Sequence, residues 1–196
     1  MKFSKFNMLS VAIMMVIPVF MYACKPNTVV STSENNAVEK TTSMSAKSDS
    51  GKAYKIKGIQ KNEQKDYAGS VEAFNKAIQF YPNDLSIYFY RGDSKYNLQD
   101  YKGAVEDFSR AIELEPGNGI HYNHKGMAET KLGNYQEALK DFNKALELVP
   151  GDAEFYYYRG ILKLEMKDKK GACPDLIKAS ELGYDEANDL VLKNCK

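Results

Sequence analysis

Residues 85–118 read LSIYFYRGDSKYNLQDYKGAVEDFSRAIELEPGN, and residues 119–152 read GIHYNHKGMAETKLGNYQEALKDFNKALELVPGD. Laid one over the other without a gap, they decide the fold. Gly92 falls on Gly126, Tyr101 on Tyr135, Phe108 on Phe142, Ala111 on Ala145 and Pro116 on Pro150. The same register reaches back to Gly58, Tyr67, Phe74, Ala77 and Pro82, and forward to Gly160 and Ala179. A glycine therefore returns every 34 residues, with aromatic, small and proline positions locked to it. A fixed period of this length marks an architecture of stacked repeats, each too small to bury its apolar face alone.

The period has a direct physical reading. Glycine at repeat position 8 and alanine at positions 20 and 27 remove bulk, so two helices of one repeat can approach closely where a larger residue would overpack the contact. Tyr at position 17 and Phe at position 24 fill space, and Pro at position 32 ends the second helix. Asp84 and Asn118 precede the next helix and suit N-capping. This pattern resembles the tetratricopeptide repeat (TPR) family. The resemblance implies an all-α fold, a TPR α-solenoid of four helix-turn-helix repeats (51–84, 85–118, 119–152, 153–186) plus a C-terminal capping helix in 187–196. The helices are expected at 52–65, 67–81, 85–98, 101–114, 119–132, 135–148, 153–166, 169–181 and about 185–194. Two departures recur. Tyr54, Tyr88, Tyr122 and Tyr156 stand where the family favours Trp, and Lys57, Arg91, Lys125 and Arg159 stand where it favours Leu. Pro174 falls inside the last expected B helix, so that helix is expected to start late or to kink.

Upstream, Lys2 and Lys5 precede an apolar run from Met8 to Ala23. A basic segment followed by a short apolar one is a secretory signal, assigned to residues 1–23. The run is shorter than the ~20 residues of a membrane span. It ends Met21-Tyr22-Ala23-Cys24, which resembles a bacterial lipoprotein signal, with Cys24 as the residue that becomes lipidated. Ordinary cleavage nearby and an uncleaved anchor are the alternatives, and all three place the remainder outside the cytoplasm. Several acyl chains on Cys24 would give stable membrane anchoring, since one chain binds only marginally. Residues 24–50 complete the approach as a tether. The segment after Cys24 is rich in Ser, Thr and Asn, lacks aromatics and cannot offset its own ordering entropy. A flexible chain of that length spans roughly 25–30 Å.

Without residues 1–23, 25 basic residues face 26 acidic ones, which gives no general attraction to nucleic acid. The helix-B acids, such as Glu106, Asp107 and Asp141, read as exposed charges pairing with Lys and Arg. Cys173 and Cys195 remain in an oxidising compartment once Cys24 is lipidated, and are expected to pair. One buried and one exposed thiol is the alternative. Neither forms a CxxC pair or has a neighbouring His, so no metal site is expected. His121 and His124, the only histidines, read as surface or groove residues. No nucleophile, phosphate-loop or dinucleotide motif is present, so no cofactor and no enzymatic activity are expected.

The TPR resemblance further implies a concave groove lined by the first helix of each repeat. Carried over by position, the groove residues are Lys55 and Ile59, with Lys52, Ile56 and Asn62, in repeat 1. Repeat 2 gives Phe89, Tyr90, Asp93 and Asn97, with Tyr96. Repeat 3 gives Asn123, His124 and Met127, with Lys131. Repeat 4 gives Tyr157, Tyr158 and Ile161, with Glu165. Rigid aromatic area of this kind anchors interfaces, and Asn97 and Asn123 are suited to hold a peptide backbone. The chaperone-type carboxylate clamp of the family is not expected. Lys55 matches one of its positions, but Ile59, Tyr90 and Ile120 replace the Asn and Lys of the others. The function expected is a protein-binding adaptor in a bacterial cell envelope, periplasmic or on the cell surface, holding a partner's peptide or helix. The alternative is a self-associating structural component of an envelope assembly.

Overall fold

The computed structural model describes residues 49–195. The signal 1–23, Cys24 and the tether as far as 48 lie outside the described residues. The chain forms α1 (49–63), α2 (Tyr67–Ile78), α3 (Leu85–Asn97), α4 (Tyr101–Leu114), α5 (Gly119–Leu132), α6 (Tyr135–Leu148), α7 (Ala153–Glu165), α8 (Lys169–Glu181) and α9 (Glu186–Asn194). There is no strand among the described residues. One boundary is corrected. Residues 49 and 50, assigned above to the tether, are already helical. Gly51 is buried there, and a Cβ on it would lie 2.6 Å from Phe80 and 2.7 Å from Tyr81, so α1 starts against the end of α2.

Caps set the helix starts. Ahead of the first helices of repeats 2 to 4, Asp84 accepts from the Ser86 amide (3.1 Å), Asn118 from Ile120 (3.1 Å) and Asp152 from Glu154 (2.9 Å). Ahead of the second helices, Asp66, Asp100 and Asp168 accept from the amides of Gly69, Gly103 and Gly171. Repeat 3 differs: Glu137 takes the glycine place and Asn134 makes no cap bond. A Cβ at Gly103 or Gly171 would press into the capping carboxylate, so the small residue and the cap occur together. The turn between the two helices needs one residue at positive φ. Gly133 supplies it in repeat 3 (79°), while Lys65, Gln99 and Lys167 adopt it in the others.

The 34-residue glycines sit where close approach requires them. A Cβ at Gly58, Gly92, Gly126 or Gly160 would lie 2.6, 2.9, 3.1 and 2.7 Å from Phe74, Phe108, Phe142 and Leu176. Each of those four side chains is buried. Ser70, the one departure at position 20 in repeats 1 to 3, is buried, with its hydroxyl 2.9 Å from the Gly58 carbonyl and hydrogen-bonded to the Ser94 hydroxyl at 2.8 Å, tying repeat 1 to repeat 2.

The acids of the second helices correct the sequence reading. Glu106 is exposed, but Asp107 is 3% and Asp141 8% exposed. Arg91 grips Asp107 through Nε (2.9 Å) and Nη2 (2.5 Å), and Lys95 adds a third contact at 2.9 Å. Arg159 and Lys163 repeat this arrangement on Asp175. Both arginines also reach back to the preceding repeat, to Asn75 (2.6 Å) and Asn143 (2.8 Å). Repeat 3 has only Lys125 on Asp141. Burial, partly offset by Lys125 and reinforced by nearby Glu129, raises the carboxyl of Asp141 above its ordinary range.

At the C-terminal end the expected late start does not occur. Lys169 begins α8 under the Asp168 cap, and Pro174 sits well inside the helix. The carbonyl that loses its partner there is that of Lys170, an exposed residue. Cys173 and Cys195 are bonded with Cα atoms 5.5 Å apart, pinning the end of α9 to α8. No described helix is long and apolar enough to cross a membrane.

Candidate functional site

The first helices of successive repeats touch one another directly, α3 with α5 and α5 with α7, whereas no comparable contact joins successive second helices among the described residues. The stack is therefore tighter on the α3–α5–α7 side, and that side is its concave face.

The structure distributes the expected groove residues unevenly. Phe89 is the hub of an aromatic group, with ring centroids 5.7 Å from Tyr90, 4.9 Å from His124 and 5.9 Å from Phe108. Tyr90 stacks on Phe74 and keeps an exposed edge. Asn62 donates to Asp93 (2.9 Å), and Asn97 donates to the Asp93 carbonyl of its own helix. Lys55 is held by Asp84 at 2.6 Å, so it serves the junction of repeats 1 and 2. Ile59 packs against the Phe74–Ala77–Ile87 cluster, while Ile56 is exposed.

Two expectations fail. Asn123 is fully buried, with Nδ2 3.5 Å from Glu154 and Oδ1 without a partner, so it cannot hold a peptide backbone. The facing α7 covers it. His121 is also buried, in place of a surface position, with Nε2 3.2 Å from Glu115. Its neighbour His124 sets Nδ1 3.0 Å from the Ile120 carbonyl, inside its own helix.

Burial pushes the pKa of His121 below its ordinary value, against the pull of Glu115. The unfolded chain then takes up the proton first, near pH 6.5. Stability from the neutral imidazole is present above that pH and is lost as pH falls from about 6.5 through the lower folded pKa. Melting temperature is expected to drop between pH 7 and pH 5.5, and His121→Phe to flatten that slope. Calorimetry across the range checks it. Glu115 and the other lowered carboxylates act only below about pH 4.

Farther along, α3, α5 and α7 line a half-open cavity of about 90 Å³. Its walls are Tyr96, Met127, Tyr158 and Ile161, with Phe142 of α6, and Thr130, Lys131 and Glu165 complete the lining. Beyond it Tyr157 meets Tyr184, with centroids 4.6 Å apart, at the C-terminal end of the face. Burial and the neighbouring Tyr158 and Glu154 push the Tyr184 phenol up to about 12, so it stays protonated. The sequence reading did not place Tyr184 here. The signal was its occurrence at position 32, where the other repeats carry Pro.

Residues 89–172 match the tetratricopeptide repeat family. The fold of the described residues is that of an all-α TPR-type solenoid. Among solved structures, YrrB, described as a TPR protein with an unusual peptide-binding site, shares the fold at TM-score 0.67 and 22% identity, over 81% of this chain and 86% of that one. MamA of Desulfovibrio magneticus RS-1 aligns at TM-score 0.65 and 20% identity, over 71% and 77%. The first TPR domain of Spaghetti, bound to an HSP90 peptide, aligns at 0.57 and 22%, over 61% and 94%. Among curated proteins no relative matches the chain in sequence.

In repeats 2 and 4 both departures from the TPR pattern have a physical account. The phenols of Tyr88 and Tyr156 donate to the carbonyls of Pro82 and Pro150, at 2.8 and 3.2 Å, so the residue at the Trp position closes the turn from the preceding repeat. Arg91, Lys125 and Arg159 at the Leu position neutralise the buried aspartates 16 residues later, whereas Lys57 of repeat 1 has Ala73 at that interval.

Proposed function

We propose that this chain is an adaptor tethered in a bacterial cell envelope, holding a peptide or helix of a partner protein in its concave TPR groove. The observation that carries the reading is the concave face itself, with partly exposed aromatics from Phe89 and Tyr90 through Tyr157 and Tyr158 flanking an apolar cavity. Tyr and Phe supply rigid contact area at low entropic cost. The peptide-binding descriptions of YrrB and the Spaghetti domain support the same use of the fold. A carboxylate clamp of the chaperone type is not proposed, because Ile59, Tyr90 and Ile120 occupy its polar positions and Asp84 engages Lys55.

Crosslinking in the native envelope followed by mass spectrometry identifies the partner. Tyr90→Ala with Tyr157→Ala is then expected to weaken its capture by roughly 30-fold or more, the effect of losing one or two anchor residues. Unchanged capture would remove the groove from the account. Tethering rests on Lys2, Lys5, the apolar run and Cys24. Cys24→Ser is expected to shift the protein from the membrane to the soluble fraction on centrifugation, and retention in the membrane would count against lipidation.

A further inference from the structure

We propose that the α3–α5–α7 cavity is the specificity pocket of this groove, taking one aliphatic side chain of the bound segment, flanked by an acidic residue on one side and a basic residue on the other. The inference rests on the groove reading above and goes further in naming what the segment must carry.

Size decides the class of side chain. The cavity holds about 90 Å³. A dry protein cavity that accepts a benzene ring has about 150 Å³. At about 90 Å³ and open on one side, the cavity takes in the end of a Leu, Ile, Val or Met side chain, whereas a Phe or Tyr ring would stand partly outside it. The walls suit such an end. The Phe142 ring is buried and fixed against Gly126, Tyr96 and Tyr158 contribute ring faces, and Met127 adapts to shape.

Charge decides the flanks. Lys131 on α5 and Glu165 on α7 are both exposed at the lining. Neither has an ion-pair or hydrogen-bond partner among the described residues, and they do not pair with each other. This contrasts with Arg91, Lys95, Lys125, Arg159 and Lys163 of the same first helices, which all engage the buried aspartates of the second helices. Two opposite, unpaired charges on facing walls match a segment that brings a carboxylate toward α5 and a cation toward α7. Rim charges of this kind select partners more than they add affinity.

The test is selection of random 12-residue displayed peptides on the full chain, followed by titration of the selected peptides. The expected consensus is a single aliphatic residue with an acid on one side and a base on the other. Changing that residue to Ala, or to Phe, in the synthetic peptide should weaken binding at least tenfold. Selection on Lys131→Glu, an exposed change that leaves the core alone, should replace the flanking acid with a second base. The pocket is overturned by an aromatic anchor, by a peptide Ala change tolerated within twofold, or by flanks that Lys131→Glu does not move. If such peptides still lose binding to Tyr90→Ala with Tyr157→Ala, the groove reading stands and only the pocket falls. If the double variant changes nothing, or no peptide is enriched, the groove reading falls with it.

Discussion

Phe108→Ala is expected to destabilise the module by about 3–5 kcal/mol, the range for removing a buried aromatic ring. Phe108 is fully enclosed. Its ring lies against the backbone of α3, where a Cβ on Gly92 would be 2.9 Å away, and beside Phe89 and His124. It also clusters with Ala104 and Ala128, so one truncation loosens the α3–α4 contact and the junction between repeats 2 and 3 together. In a solenoid each repeat draws stability from its neighbours, and a break in the middle isolates repeat 1 from repeats 3 and 4. With total stability of ordinary size, about 5–15 kcal/mol, the melting temperature should fall on the order of 10–15 °C. Urea unfolding should show a lower midpoint, with a second transition where the halves separate. A shift under about 3 °C would mean that the ring does not hold the junction.

Asp107→Ala should cost nearly as much, about 3 kcal/mol or more, for a different reason. Burying charge is tolerable only while it is paired, and removing one partner leaves the rest desolvated and unmatched. Asp107 neutralises both Arg91 and Lys95, each about one-sixth exposed, and through Arg91 it connects to Asn75 of the previous repeat. Asp141 provides the internal control. Its folded pKa is raised, so its contribution is greatest when protonated and is lost as pH rises through that value. The ionised Asp141 is therefore a burden at neutral pH, and Asp141→Asn should be close to neutral or stabilising there. Denaturant midpoints at pH 7 for the two variants check the contrast. Equal losses at both positions would contradict the assignment of the clusters.

The two aspartates show where reading by periodicity stops. Both occupy repeat position 23, on second helices whose many charges predict exposure. A usable signal was present. A cation stands 16 residues before each of Asp107, Asp141 and Asp175, at Arg91, Lys125 and Arg159, in place of the family's leucine. An unexpected charge at an interior position, matched by an opposite charge at a constant interval, marks a buried pair. Asn123 and His121 had no such marker. Nothing in their own helix reveals that α7 covers the first or that the second is enclosed.

By itself the sequence determined the period, the capped helix starts of repeats 2 and 3 and the close contact of paired helices, but neither the start of α1 nor that of α8. Those features depend on glycine, alanine, proline and capping side chains, which act on backbone a few residues away. Only the tertiary structure decided which groove positions remain open, which polar groups are sealed, and that Tyr96, Met127, Phe142, Tyr158 and Ile161 line a half-open cavity beside unpaired Lys131 and Glu165. Helical periodicity gives the direction in which each side chain leaves its own helix. Burial, charge matching and free volume depend on what the next repeat sets opposite it, across distances the local pattern does not encode.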